Sequence, residues 1–136
     1  MNSYFDTSIW LDLFEDRDEP NMPKGKWATE LVGKIIRENE KIAYSDLNIS
    51  ELEDAGYSLY EIERLFQPFD FILIYIESTK QEVGKSRDLS LKRGIPKGDA
   101  LHALIARDNN LILITLDNHF QRLLDIIKPA KPQDII

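Results

Sequence analysis

Leu111-Ile112-Leu113-Ile114-Thr115-Leu116-Asp117-Asn118 is the stretch that decides the fold. Residues 111–115 form an apolar run too short for a helix and without alternation, the pattern of a strand buried on both faces of a parallel sheet. The run ends on Asp117, which opens the next element, with Phe120, Leu123 and Leu124 at helical spacing. The same order, apolar strand and then a lone acid, occurs at the other end of the chain. Tyr4-Phe5-Asp6-Thr7-Ser8 reads as a short strand over 3–6, and a helix opens at Ile9 under a cap from Thr7 or Ser8.

Between these ends, strands and helices alternate. Glu15 to Lys26, with Pro20, Pro23 and Gly25, reads as a loop. Trp27, Leu31, Val32, Ile35 and Ile36 then recur at helical spacing. Ile42-Ala43-Tyr44 predicts a strand, and Ser45 or Asp46 caps a helix carrying Leu47, Ser50, Glu51 and Asp54. A helix over 59–66, a buried strand over 71–75 and a polar helix over 77–92 follow. Gly94 closes the polar helix, and Pro96 starts the Ala-rich helix after Lys97-Gly98-Asp99. The tail, with Pro129 and Pro132, predicts at most an interrupted edge strand. The alternation predicts one α/β domain over 1–136, a central, mainly parallel sheet in a three-layer α/β/α arrangement. Ligands of such sheets bind beyond the carboxyl ends of the strands. Asp6 and Asp117 fall just past such ends, and Glu51 and Asp99 fall in first turns of helices, so all four acids can converge.

Composition narrows the chemistry. The chain has 136 residues, 43% of them apolar, enough for a core. It has no cysteine, which excludes disulfides, thiolate zinc sites and cysteine nucleophiles and fits a reducing cytoplasm. No apolar run is long enough for a signal peptide or a membrane helix, so no membrane partner is expected. A formal net charge of −7 argues against binding nucleic acid by bulk electrostatics. Four carboxylates drawn into one pocket repel one another, and the simplest reason to assemble them is a hard divalent cation. Two such ions can activate a water and stabilise a leaving oxygen at a phosphodiester. Other chemistries fit less well. Asp6 as a phosphatase nucleophile lacks a second Asp two residues on, where Ser8 stands. Only His102 and His119 are available to zinc. G-x-S-x-G and phosphate-loop patterns are absent.

Each acid alone also reads as a helix cap or a first-turn acid favoured by the macrodipole. Their joint order is what resembles a family. Asp6-Thr7-Ser8, Ser50-Glu51-Leu52-Glu53, the segment 98–106 (GDALHALIA) and 112–120 (ILITLDNHF) are similar to the four signature blocks of the PIN domain, over essentially the whole chain. The likeness is closest to the small VapC-type toxin ribonucleases of VapBC pairs. It implies a Mg²⁺- or Mn²⁺-dependent ribonuclease acting on RNA, a homodimer, silenced by a cognate antitoxin protein. By match to those blocks, Asp6, Glu51, Asp99 and Asp117 are the catalytic metal-site acids. Thr7 or Ser8 would bond the first carboxylate, and Thr115 would position Asp117 or a water. Where many relatives carry a further acid two residues after the last one, this chain has His119, which weakens the case for a second ion. His119, Lys97 and Arg93 are candidate substrate contacts. His102, one turn after Asp99, faces either the same cleft or the core. The competing reading is a PIN-like module that binds RNA or protein without cutting.

Overall fold

A computed structural model describes residues 1–136. In chain order it comprises β1 (Ser3–Phe5), α1 (Thr7–Glu15), β2 (Asp18–Glu19), β3 (Met22–Pro23), α2 (Lys24–Arg37), β4 (Ile42–Ser45), α3 (Asp46–Asp54), α4 (Leu59–Phe66), β5 (Leu73–Ile76), α5 (Lys80–Arg93), α6 (Lys97–Asp108), β6 (Ile112–Ile114) and α7 (Pro132–Ile135). Two 3₁₀ turns, Gln67–Ile72 and Asn118–Leu123, complete it. The main sheet has the order β5-β4-β1-β6, and every pairing is parallel. Phe5 pairs in register with Ile114, so β1 and β6 end level with each other.

Alternation along the strands sends neighbours to opposite faces. Phe5, Ile42 and Ile114 enter one core with Ile9 and Trp10 of α1, Leu31 and Ile35 of α2, and Phe66 of α4. Tyr4, Ala43 and Leu113 enter the other with Ala103 and Ile105 of α6 and Phe120 beyond β6. Helices on both faces of a parallel sheet give the α/β/α layering expected from the sequence. The near-continuous apolar segment of α6, buried from Ala100 to Ala106, lets that helix pack without a polar face.

Three local expectations change. Glu15 to Lys26 is not irregular throughout, because β2 and β3 form a small antiparallel hairpin. Phe71 and Ile72 belong to a 3₁₀ turn, and β5 is an edge strand with Tyr75 about half exposed, not a strand buried on both faces. An edge strand has one neighbour, so an apolar run there need not be enclosed. The tail contributes a single bridge, Ile114 to Ala130, followed by α7. No helix is long and apolar enough to cross a membrane.

Candidate active site

Each of the four acids is placed by an identifiable local device. Asp6 follows β1 directly and, in place of Thr7 or Ser8, is itself the N-cap of α1. Its Oδ1 accepts from the Ile9 amide at 3.2 Å and from the Ser8 hydroxyl at 2.6 Å. Its Oδ2 accepts from the Thr115 hydroxyl. Burial pushes this carboxyl above its ordinary pKa even though all these bonds, together with His102 nearby, favour the anion.

Thr115 couples two acids. Its Oγ1 donates to Asp6 and accepts from the Asp117 amide at 3.0 Å. Asp117 then caps the 3₁₀ turn, its Oδ1 accepting from the His119 amide at 2.8 Å. Asp99 sits in the first turn of α6, where the helix dipole favours an acid. Its Oδ2 lies 3.0 Å from His119 Nδ1, which in turn lies 3.1 Å from Asp117 Oδ1. One ligand atom from each of Asp99, Asp117 and His119 falls within 4.8 Å of the others. Asp99 is pushed up to about 6, first by burial and then by the neighbouring Asp117, although His119 and His102 oppose the shift.

Glu51 approaches from α3, whose start is secured by a capping box between Ser45 and Asn48. Glu51 Oε1 accepts from the Thr7 hydroxyl at 2.6 Å and lies 2.6 Å from His102 Nε2. Burial would raise this carboxyl, but the bonds from His102 and Thr7 outweigh it and hold the group below the usual carboxylate range. Gly98 makes room for the second oxygen: a Cβ at that position would stand 2.8 Å from Glu51 Oε2.

The carboxyl end of the sheet therefore gathers the four acids as two linked sets. Asp99 and Asp117 form one with His119, tied to Asp6 through Thr115; Glu51 lies beside it, against Gly98 at the head of α6. The oxygen donors and single imidazole suit a hard or borderline divalent cation. The residues present fit such an ion.

The remaining candidates divide. His102 is buried and reaches the cleft at once, because its two ring nitrogens face different ways. His119 lies among the acids rather than only on the surface. Lys97 is exposed at the start of α6, two residues before Asp99. Arg93 is engaged by Asp125 at 2.7 and 2.8 Å. Tyr4, Ser45 and Asn48, which back the site, escape sequence reading because a Tyr inside a strand and a Ser-x-x-Asn cap have ordinary structural explanations.

Comparison with known proteins agrees with this architecture. No curated protein sequence matches the chain. Among solved structures, VapBC-1 from nontypeable Haemophilus influenzae is similar with a TM-score of 0.68 at 22% identity, over 98% of this chain and 99% of that one. A toxin–antitoxin complex from Klebsiella pneumoniae gives 0.66 at 19%, over 95% and 98%. VapBC2 from Rickettsia felis, bound to a DNA fragment from its promoter, gives 0.65 at 19%, over 96% and 97%. The family model described as PIN domain matches residues 3–125, nearly the whole span that builds the sheet and carries all four acids, and the chain belongs to that family.

Proposed function

We propose that this protein is a metal-dependent endoribonuclease, the toxin of a VapBC-like pair, acting as a cytoplasmic homodimer held in check by an antitoxin. The observation that supports this reading is the cluster of Asp99, Asp117 and His119, whose ligand atoms lie within 4.8 Å of one another, with Asp6 tied to it through Thr115. PIN domains are generally nucleases that use divalent metals. Several structurally similar proteins were solved as toxin–antitoxin complexes, which supports a protein partner here.

Asp6, Asp99, Asp117 and Glu51 would hold Mg²⁺ or Mn²⁺. Such an ion acidifies an attacking water and neutralises charge developing on the phosphate. The chain's own residues supply the rest. Ser8 and Thr115 orient the Asp6 carboxylate, and Thr7 orients Glu51. His119 and Lys97, both exposed beside Asp99, offer donors to backbone phosphates. No side chain need serve as a separate general base.

The test is cleavage of labelled RNA by the purified protein with Mg²⁺, with Mn²⁺ and with a chelator, single-stranded DNA serving as comparison. Cutting is expected only with metal, and Asp99→Asn should abolish most of it while the protein remains folded. RNA bound yet uncut under all metals would instead establish a binding module.

A further inference from the structure

Glu51 belongs to a closed ring of hydrogen bonds that crosses both cores. Its Oε1 meets His102 Nε2 at 2.6 Å, and His102 Nδ1 meets the Tyr4 hydroxyl at 2.7 Å. The Tyr4 hydroxyl meets Ser45 Oγ at 2.7 Å, and Ser45 Oγ accepts from the Asn48 amide at 3.3 Å. Asn48 Nδ2 donates to Thr7 Oγ1 at 3.0 Å, and Thr7 Oγ1 donates back to Glu51 Oε1 at 2.6 Å. Six side chains from β1, α1, β4, α3 and α6 thus close on one oxygen atom. Tyr4, Thr7, Ser45, Asn48 and His102 are all buried.

The donors run in one direction. An ionised Glu51 only accepts, so His102 Nε2 must carry a proton. The two 2.7 Å contacts of the Tyr4 hydroxyl favour donation to His102 Nδ1 and acceptance from Ser45 Oγ, whose alternative acceptor, Asn48 Oδ1, is farther away at 3.4 Å. Burial raises the Tyr4 phenol far beyond its ordinary range, so it remains a donor. Both branches of the ring therefore deliver hydrogen to Oε1, whereas Oε2 lies against Gly98 with no hydrogen-bond partner.

We propose that His102, set by Tyr4, is a positioning residue that locks Glu51 so that Oε2 alone is presented to a cation or its water. This rests on the nuclease reading above only in assigning Glu51 to the metal site. The experiment combines ¹⁵N NMR of His102 in the metal-free protein with Mn²⁺ titration and RNA cleavage for wild type, His102→Leu, His102→Gln and Tyr4→Phe. His102 is expected as the Nε2–H tautomer with a bare Nδ1. His102→Leu should weaken Mn²⁺ binding about tenfold. His102→Gln, which restores a donor near the Nε2 position, should recover most of that loss, a rescue that lost packing alone would not produce. Tyr4→Phe should leave Nδ1 without its donor, move the Nδ1 ¹⁵N shift and weaken Mn²⁺ a few-fold; it decides the matter if the Leu variant does not fold. Wild-type Mn²⁺ affinity in a folded Leu variant, an unchanged Nδ1 shift and affinity in Tyr4→Phe, or a wild-type proton on Nδ1 would each overturn the proposal. A wild type that binds Mn²⁺ but cuts no RNA removes the nuclease reading and leaves positioning to the affinities. Cleavage with all variants equal removes positioning alone.

Discussion

At the scale of single residues, the protein carries carboxylates whose charge costs stability until something neutralises it. Asp12 on α1 is only 4% exposed, and its nearest cationic group is Arg17 at 4.0 Å. Burial pushes it up to about 6, with Lys24 and Arg17 only partly offsetting this. Asp99 is raised to a similar value. A raised carboxyl pKa means that the folded state binds the proton more tightly than the unfolded chain. Its stabilising share is complete below about pH 4 and is lost as pH rises through about 6. Asp12→Asn removes the cost of that buried charge, so at pH 7 the variant should be more stable by roughly 2 kcal/mol. The advantage should vanish by pH 4, as followed by denaturant melts at both values. A variant destabilised at pH 7 would show that Asp12 is compensated by contacts stronger than the Arg17 pair. Gly98→Ala acts at the same scale. Its new methyl meets Glu51 Oε2, an atom whose side chain is already held by Thr7 and His102 and has little freedom to yield. Mn²⁺ affinity should fall and Tm should drop as well, because crowding a held carboxylate outweighs alanine's better helix propensity.

At the scale of elements, the junction between the small hairpin and α2 is where the backbone approaches a glycine most closely. A Cβ on Gly25 would lie 2.8 Å from the Asp16 Cα and carbonyl carbon, both backbone atoms. Asp16 itself has a positive φ of 50°, so this approach involves a left-handed turn at the end of α1. Gly25→Ala should therefore destabilise the fold by about 1–3 kcal/mol, the range for overpacking a rigid site, read from urea midpoints. The loss should be indifferent to Mn²⁺, since the hairpin follows the end of α1 opposite to the one that Asp6 caps. Local sequence signals located most helices because their caps are local chemistry. Gly94 ends α5 at φ 63° and Ser45 opens α3, as read from the sequence, whereas α5 starts at Lys80 under a Thr79–Glu82 capping box and not at Glu77. The same local reading failed at Phe71, where an apolar run does not reveal whether a strand lies at the edge or the centre, and at 18–23, where two-residue strands leave no periodicity.

At the scale of the whole molecule, cation binding and folding are one equilibrium. An ion held by acids that come together only in the native chain stabilises it by mass action, about 2.7 kcal/mol at a hundred times the dissociation constant. Adding Mn²⁺ should raise Tm of the wild type and leave Asp99→Asn nearly unmoved, as checked by calorimetry with and without chelator. An equal rise in both would place the ion elsewhere. The parallel sheet was written in the sequence, because apolar runs without alternation are a property of neighbouring residues, and the four candidate acids were legible there as acids at element starts whose joint order resembles a family. Three-dimensional packing alone decided that Thr115 ties Asp6 to Asp117, that His119 falls between Asp99 and Asp117, and that Tyr4, Ser45, Asn48 and Thr7 join His102 around Glu51. Most of those contacts link residues tens of positions apart, and their existence depends on strand order and helix packing, which no stretch of chain encodes by itself.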